Sequence, residues 1–359
     1  MPKIRRRPYL VHLVGPAWMH GGTEQHTLTL AKFMDPSRVR IDCVHVTTPQ
    51  YFDETSAEQT DLAIRQTPPE QLASATAAAD CVIHWGIELD KYLAPSRSQA
   101  RIAIAHGASD WGRAMIDGSM QTTDDIVCVS DHVAQTYALT HQHMVLTNGI
   151  DTARLTNTMS RDRTRQMIGA NSAACVLGYV GRMAHDKHIA DIITAIDLTK
   201  THTLLLICGQ GDEEQRLRQQ AQDSRYCHAT LTYRQDYIGD VYQSMDCFIM
   251  PSEHEGFCLA AAEAMWSGLP IIMRRTGLAA TDITDGYDGH IYDGTVDDLA
   301  RKISLVRQAG GRDSMVAQRA KKVADNRYMG LRMAQQYEHL IESAIESKPD
   351  HEFTRAVPY

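Results

Sequence analysis

Four groups of residues have the types and spacing of a ligand site. Glu255 and Glu263 stand either side of an apolar run in His254-Glu255-Gly256-Phe257-Cys258-Leu259-Ala260-Ala261-Ala262-Glu263. Arg182 and Lys187 flank the turn Gly181-Arg182-Met183-Ala184-His185-Asp186-Lys187, so both cations can converge on one anion, the Arg through its planar fork and the Lys as a point charge. Gly21 and Gly22 let a backbone approach an oxyanion closely at the start of a helix. His106, followed by Gly107, can hydrogen-bond a bound substrate. Each group also has a plain reading. The glycines can make only a tight turn, and Arg182 and Lys187 can be solvated charges compensated by Asp186. His106 can cap its own strand, and Glu263 can pair with a nearby Arg or Lys while Glu255 is solvated.

The elements that must position these residues follow from apolar periodicity. Short apolar runs at 9–15, 39–46, 80–85, 100–106, 125–130 and 143–149 read as strands of a parallel sheet, with a helix over 27–34. The polar stretch 150–173 breaks the pattern and reads as a linker. A second series follows at 174–181, 203–211, 228–233, 246–252, 269–275 and 289–293, with helices between. Two α/β units in tandem result, followed by helix-like segments from Val296 to about Ser347. Gly21-Gly22, His106, Gly181 to Lys187, and the turn Gly209-Gln210-Gly211 then all fall at the carboxyl ends of strands, where open α/β sheets bind ligands. Glu255 falls on such a loop and Glu263 in the second turn of a helix that is otherwise nearly all apolar. A carboxylate buried there is expensive unless it is paired or bonded to a ligand's hydroxyls. The spacing from Cys258 to Glu263 advances the helix by roughly 7–8 Å, so the two glutamates can grip different parts of one elongated ligand. Free N–H groups at 257 to 259 would suit a phosphate.

Composition narrows the class. The chain has 359 residues, 43% hydrophobic and 22% charged, which suits two globular domains and excludes coiled-coil, collagen and disordered readings. A formal charge of -8 argues against a general nucleic-acid binder and leaves room for a small cationic pocket. The apolar segment after the basic start Lys3 to Arg7 is too short for a signal or spanning segment, so the expected location is cytoplasmic. That basic start could touch an anionic leaflet, although five residues are too few to assert a peripheral membrane contact. The 8 cysteines contain no C-x-x-C pair and read as buried thiols. The 17 histidines, including the pairs His141 with His143 and His185 with His188, form no recognisable zinc pattern, so no metal site is expected.

The ordered blocks GGTEQHTLTLAKFM, YVGRMAHDKHIADIITAI, LLICGQGDEEQRLRQ and MPSEHEGFCLAAAEAMWSGLPII resemble those of the retaining, nucleotide-sugar-dependent glycosyltransferases of the GT-B type, family GT4 (group 1), with its E-x7-E signature. The resemblance covers most of 9–290. It implies an α/β GT-B fold, with two Rossmann-like parallel-sheet domains facing each other across a cleft. The N-terminal domain, 1–156, would bind the acceptor and the C-terminal one, 157–335, the nucleotide sugar. A C-terminal helix and tail, 336–359, would be free to pack back on the first domain. Carried over by residue, Arg182 and Lys187 would neutralise the nucleotide diphosphate, and Gly21, Gly22, Gly181 and Gly209 would bring the backbone close to the donor. Glu263 would accept from the ribose hydroxyls and Glu255 would face the transferred sugar. Gly256, Phe257, Cys258 and Leu259 would lie beneath sugar and diphosphate, His106 near the reacting carbon, and Tyr233 and Arg234 near the base.

The resemblance further implies that configuration is retained, with the leaving phosphate as the base for the acceptor hydroxyl, and that no metal or other cofactor is required. Asp-x-Asp, the usual metal signature of the other large glycosyltransferase fold, is absent from the chain. Cys258 departs from the family, which often has glycine there. The short polar region 47–80 leaves little scaffold for a large polymeric acceptor. UDP- and GDP-linked donors both stay open, with UDP favoured. A nucleotide-sugar epimerase or hydrolase on the same fold, and a non-catalytic nucleotide-sugar-binding subunit, are the alternatives. The acceptor hydroxyl, on a small molecule or a lipid-linked one, the pathway and the oligomeric state are not readable.

Overall fold

The computed structural model describes residues 7–19, 21–138, 143–170, 175–232 and 237–350. The chain divides into two compact units: unit 1 is 1–149 with 330–359, and unit 2 is 150–329.

Among the described residues, unit 1 is built on seven strands: β1 (Tyr9–Gly15), β2 (Val39–Val46), β3 (Ile64–Gln66), β4 (Cys81–His84), β5 (Ala100–Ala105), β6 (Asp125–Cys128) and β7 (His143–Val145). They pair in the order β3-β2-β1-β4-β5-β6-β7, and every pair is parallel. Parallel strands need crossover connections and are covered by helices on both faces, which is why β1, β4, β5 and β6 are continuous apolar runs. Val11, Leu13, Val14, Ile83, Ile102 and Val127 are all buried. β3 escapes apolar periodicity because it is a three-residue edge strand, Ile-Arg-Gln, with two exposed side chains. The helix Gly330–Glu346 belongs to this unit. Its Glu338 and Glu342 hold Arg38 at 2.9 and 2.6 Å, and farther on Lys348 reaches Asp124 at 2.7 Å. Of the basic start only Arg7 is described. Its guanidinium is spent on two hydrogen bonds to Asp80, at 2.6 and 2.8 Å.

Among its described residues, unit 2 has six strands: β8 (Val176–Val180), β9 (Thr203–Cys208), β10 (Cys227–Thr232), β11 (Cys247–Met250), β12 (Ile271–Met273) and β13 (His290–Ile291). They are again parallel, in the order β10-β9-β8-β11-β12-β13. The chain enters and leaves side by side, with Ile150 N bonded to Tyr328 O at 2.8 Å. The stretch 150–173, expected as a linker, is largely part of this unit. It forms the short helices Thr152–Leu155 and Arg161–Met167. Its polar side chains are not solvating a tether: Arg154 bonds Glu263, and Arg161 and Arg165 bond Asp246. Accordingly the division falls at 149/150 and 329/330, not at 156/157 and 335/336.

In each sheet the connections leave the first strand in opposite directions, so a switch point opens between β1 and β4 and another between β8 and β11. Ligands of open α/β sheets bind outside the carboxyl ends of the strands at such points. Among the described residues no helix is long and apolar enough to cross a membrane.

Candidate functional site

In unit 2 the loops leaving β8 and β11 meet at the switch point. Lys187 Nζ lies 2.8 Å from Glu255 Oε1, with side chains 16% and 15% exposed. Asp186 stands 3.7 Å from Lys187 and 3.8 Å from Arg182, whose own side chain is largely exposed. The two cations therefore do reach a common region, but through Asp186, and Lys187 is turned to Glu255. Burial works to lower the Lys187 pKa, and the Glu255 carboxylate together with Asp186 overcomes it, so the net shift is upward and the ammonium is a fixed charge.

The Glu255 loop is clamped from β12. Glu255 N donates to Thr276 Oγ1 at 2.9 Å, and Leu278 N to Phe257 O at 2.9 Å. Phe257 is buried, its ring edge-on to Tyr328 at 5.1 Å, so what it can offer a ligand is backbone. Cys258 caps the helix Leu259–Trp266 with φ +78° and no side-chain cap. That left-handed backbone is where glycine is at ease and a side chain is strained, so a glycine would sit there more easily than Cys258 does. The first N–H groups of a helix have no intrahelical partner and suit an anion. Burial, then Glu255, push the Cys258 thiol well up, so it stays protonated and is no nucleophile.

Gly181 and Gly209 act by closeness. A Cβ on Gly209 would sit 1.9 Å from Gly181 O. Their amides are already used, by Cys208 O at 3.0 Å and Thr232 O at 2.9 Å. The loops after β8 and β9 thus pack backbone to backbone. Gly256 is buried in the Glu255 loop.

Glu263 is buried, and both its oxygens are engaged: Oε1 accepts from Arg154 Nη1 at 3.0 Å and Oε2 from the Tyr242 hydroxyl at 2.8 Å. Burial, then the Glu263 charge, hold the Tyr242 hydroxyl protonated by raising its pKa well above the ordinary value. Arg154 is the partner that the plain reading allowed. A carboxylate keeps further lone pairs for ribose hydroxyls, so pairing and ligand binding are compatible. Glu263→Ala strands the Arg154 charge and a buried hydroxyl, and is expected to cost about 2–4 kcal/mol of stability. A fall in the urea midpoint, smaller in Glu263→Gln, is the readout; an unchanged midpoint would show that the triad contributes nothing.

In unit 1, Gly21 caps the helix Gly22–Phe33 without a side-chain bond. Glu24, one turn on, folds back so that Oε1 accepts from Met19 N at 3.0 Å, and a Cβ on Gly21 would meet its Oε2 at 2.7 Å. His106 follows β5. Its ring stands edge-on to His26 at 4.9 Å and to Trp85 at 5.7 Å, and His26 in turn meets Tyr337 at 5.5 Å. Burial, then His26, lower the His106 pKa well below its ordinary value, so the imidazole is neutral. Its Nε2 is buried with no hydrogen-bond partner among the described residues.

The sequence reading missed Arg154, Tyr242, Thr276, Glu24 and His26. Only His26 had a local signal, one helical turn after Gly22 in GGTEQHTL. Tyr233 and Arg234, expected near a base, lie outside the described residues, as does His141.

Two parallel sheets, each flanked by helices and each with a switch point, define a GT-B-like pair of Rossmann-like units. The same fold is seen in the Anabaena protein Alr3699/HepE, solved in complex with UDP-glucose, with a TM-score of 0.76 over 93% of this chain and 99% of that one at 17% identity. Residues 160–323, all within unit 2, match the family model "Glycosyl transferases group 1". Sequence relatives include a glycogen synthase of Mycobacterium tuberculosis H37Rv, 31% identical over 156 residues, which are 40% of this chain and 34% of that protein. A GDP-mannose-dependent alpha-mannosyltransferase of Mycolicibacterium smegmatis is 33% identical over 102 residues, 28% of this chain and 26% of that protein. The chain thus spans about a third or less of the length of these curated relatives.

Proposed function

We propose that the chain is a retaining, metal-independent glycosyltransferase of family GT4. It moves a sugar from a nucleoside-diphosphate sugar to an acceptor hydroxyl, with unit 2 as the donor-binding and unit 1 as the acceptor-binding domain. The observation that carries this reading is the junction of Lys187 and Glu255 at the β8/β11 switch point, beside Arg182 and an uncapped helix start. As the sugar–phosphate bond breaks, negative charge grows on the leaving diphosphate. A buried ammonium whose pKa is raised, an exposed guanidinium and helix-start amides are preorganised donors for that charge, the part a metal would otherwise play.

Glu255, fixed by Lys187 and by the Thr276 clamp, keeps Oε2 for the sugar. Glu263 takes the ribose, sharing its carboxylate with Arg154. Neutral His106 and the Gly21–Gly22 backbone serve the reacting end. The leaving phosphate then accepts the acceptor's proton on the face it vacates, which retains configuration. Relatives whose names carry UDP-glucose and GDP-mannose leave the base open between uracil and guanine, and we favour UDP.

Incubation with UDP-, GDP-, ADP- and TDP-sugars and a panel of hydroxyl acceptors tests the reading. Acceptor-dependent nucleotide release is expected from one donor class. Release that needs no acceptor would instead make the chain a hydrolase or epimerase, and binding without any release a non-catalytic subunit.

A further inference from the structure

At the opposite ends of the same strands, just before β8 and β11 begin, unit 2 holds a cavity of about 280 Å³. Its wall includes Arg161, Arg165, Arg307, Asp246, Gly310 and Gly311. Three guanidinium groups thus face one carboxylate, a net charge of +2 within a chain whose formal charge is -8. Asp246 is already shared. It accepts from Arg161, from Arg165 Nη1 at 3.2 Å and from Val176 N at 2.8 Å. Arg165 is 2% exposed and also donates to Ser244 O at 3.1 Å. Arg307, in the last turn of the helix Val296–Gln308, has no carboxylate within ion-pair distance among the described residues.

A fourth guanidinium, Arg312, lies behind this wall. It is spent on carbonyl oxygens, Ser267 O at 2.7 Å and Gln243 O at 3.1 Å among them, and the exposed Asp313 acts on its charge. Burial, then the charge of Arg161, lower the Arg312 pKa, against the pull of Asp246 and Asp313. The rest of the wall is Cys175, Leu177, Cys247 and Val306, together with the two glycines. Gly310 has φ +88° with open space where a Cβ would stand, and Gly311 has φ +57° with its Cβ position 3.1 Å from Asp246 O. Side chains there would fill the cavity or strain the turn.

We infer that this cavity binds a phosphate-class dianion, as a phosphomonoester of a small molecule, with Arg307 and Arg161 as the charges that grip it and Arg165 as the fixed floor. Guanidinium forks match phosphate oxygens two at a time, and the volume exceeds what a bare phosphate needs. The site lies at the amino ends of the strands, whereas the 181–187 and 251–259 loops lie at their carboxyl ends, so it does not depend on the proposed function.

Calorimetric titration of the full chain with inorganic phosphate, at an ionic strength of about 0.15 M, tests it. One saturable site per chain is expected, and it should persist in Arg182→Ala. Arg307→Ala should weaken binding roughly tenfold or more, the loss of one charge-assisted contact, while Arg307→Lys, which keeps the charge, should retain most of it. Arg307 is half-exposed and ends a helix, so both variants are expected to fold; coincident far-UV spectra check this. Absence of saturable binding would overturn the inference. So would binding that survives Arg307→Ala unchanged, or binding that vanishes in Arg182→Ala and so belongs to the other loops.

Discussion

Replacing Lys187 by alanine is expected to lower nucleotide-sugar turnover by about 10²–10³-fold, the scale seen when one preorganised donor to a developing anion is removed. The expectation rests on place and charge together. Lys187 is the less exposed cation of the switch-point loops, the Glu255 charge outweighs burial to raise its pKa, and it needs no reorganisation when charge develops. Because the charge grows only as the bond breaks, kcat should fall more than KM rises. Arg182→Ala should cost less, since its guanidinium is 68% exposed and water screens it. Alanine at 187 also leaves the Glu255 carboxylate without its cation, so Lys187→Arg serves as the control that keeps the charge. A Lys187→Ala enzyme with unchanged kcat would remove Lys187 from the chemistry.

Acidification should unfold unit 1 well before ordinary carboxylates are protonated. Burial lowers His26 to about 4 and, with His12 and Arg65 adding to it, His45 to about 4. Burial and then Arg101 lower His84 to about 3. All three lie in unit 1. The sign follows from the depressed values. In the unfolded chain each histidine takes a proton near 6.5, whereas in the folded unit it stays neutral until about 4 or 3. The stability they contribute is therefore complete above 6.5 and is lost progressively as pH falls toward 4 and below. One pKa unit corresponds to about 1.4 kcal/mol, so three such groups sum to several kcal/mol on an order-of-magnitude basis.

Urea unfolding followed by tryptophan fluorescence reads this out, because Trp18, Trp85 and Trp111 lie in unit 1 and only Trp266 in unit 2. The midpoint should fall between pH of about 7 and about 5, above the range where most carboxylates titrate. His45→Gln, which can keep bonds to Thr67 and His12, should flatten the slope. A midpoint constant over that window would contradict the burial of neutral histidines.

Much of this fold is legible because parallel strands buried on both faces leave continuous apolar runs, as in β1 and β8, and because glycines and charges then fall at their carboxyl ends. Sheet order is not legible. Lys187 and Glu255 are 68 residues apart and meet only because β11 lies beside β8 and not beside β10. Apolar periodicity carries no record of that crossover. Glu263 was legible as a buried carboxylate on an apolar helix, but its partner Arg154 is 109 residues away in a stretch whose polarity reads as a linker. Polar residues that bond to a domain and polar residues that solvate a tether have the same composition. Cys258 shows the converse. Its type was readable as a departure, while the left-handed backbone that makes glycine the easier residue is a property of the folded loop.

If the loops 181–187 and 251–259 of unit 2 hold the diphosphate of a nucleotide sugar, as proposed, equilibrium titration with UDP and UDP-glucose will show it. Saturable binding to the wild-type chain is expected, with affinity reduced roughly tenfold or more in Arg182→Ala and in Lys187→Ala. Failure of UDP, GDP, ADP and TDP alike to bind, or affinities indifferent to both substitutions, would contradict it.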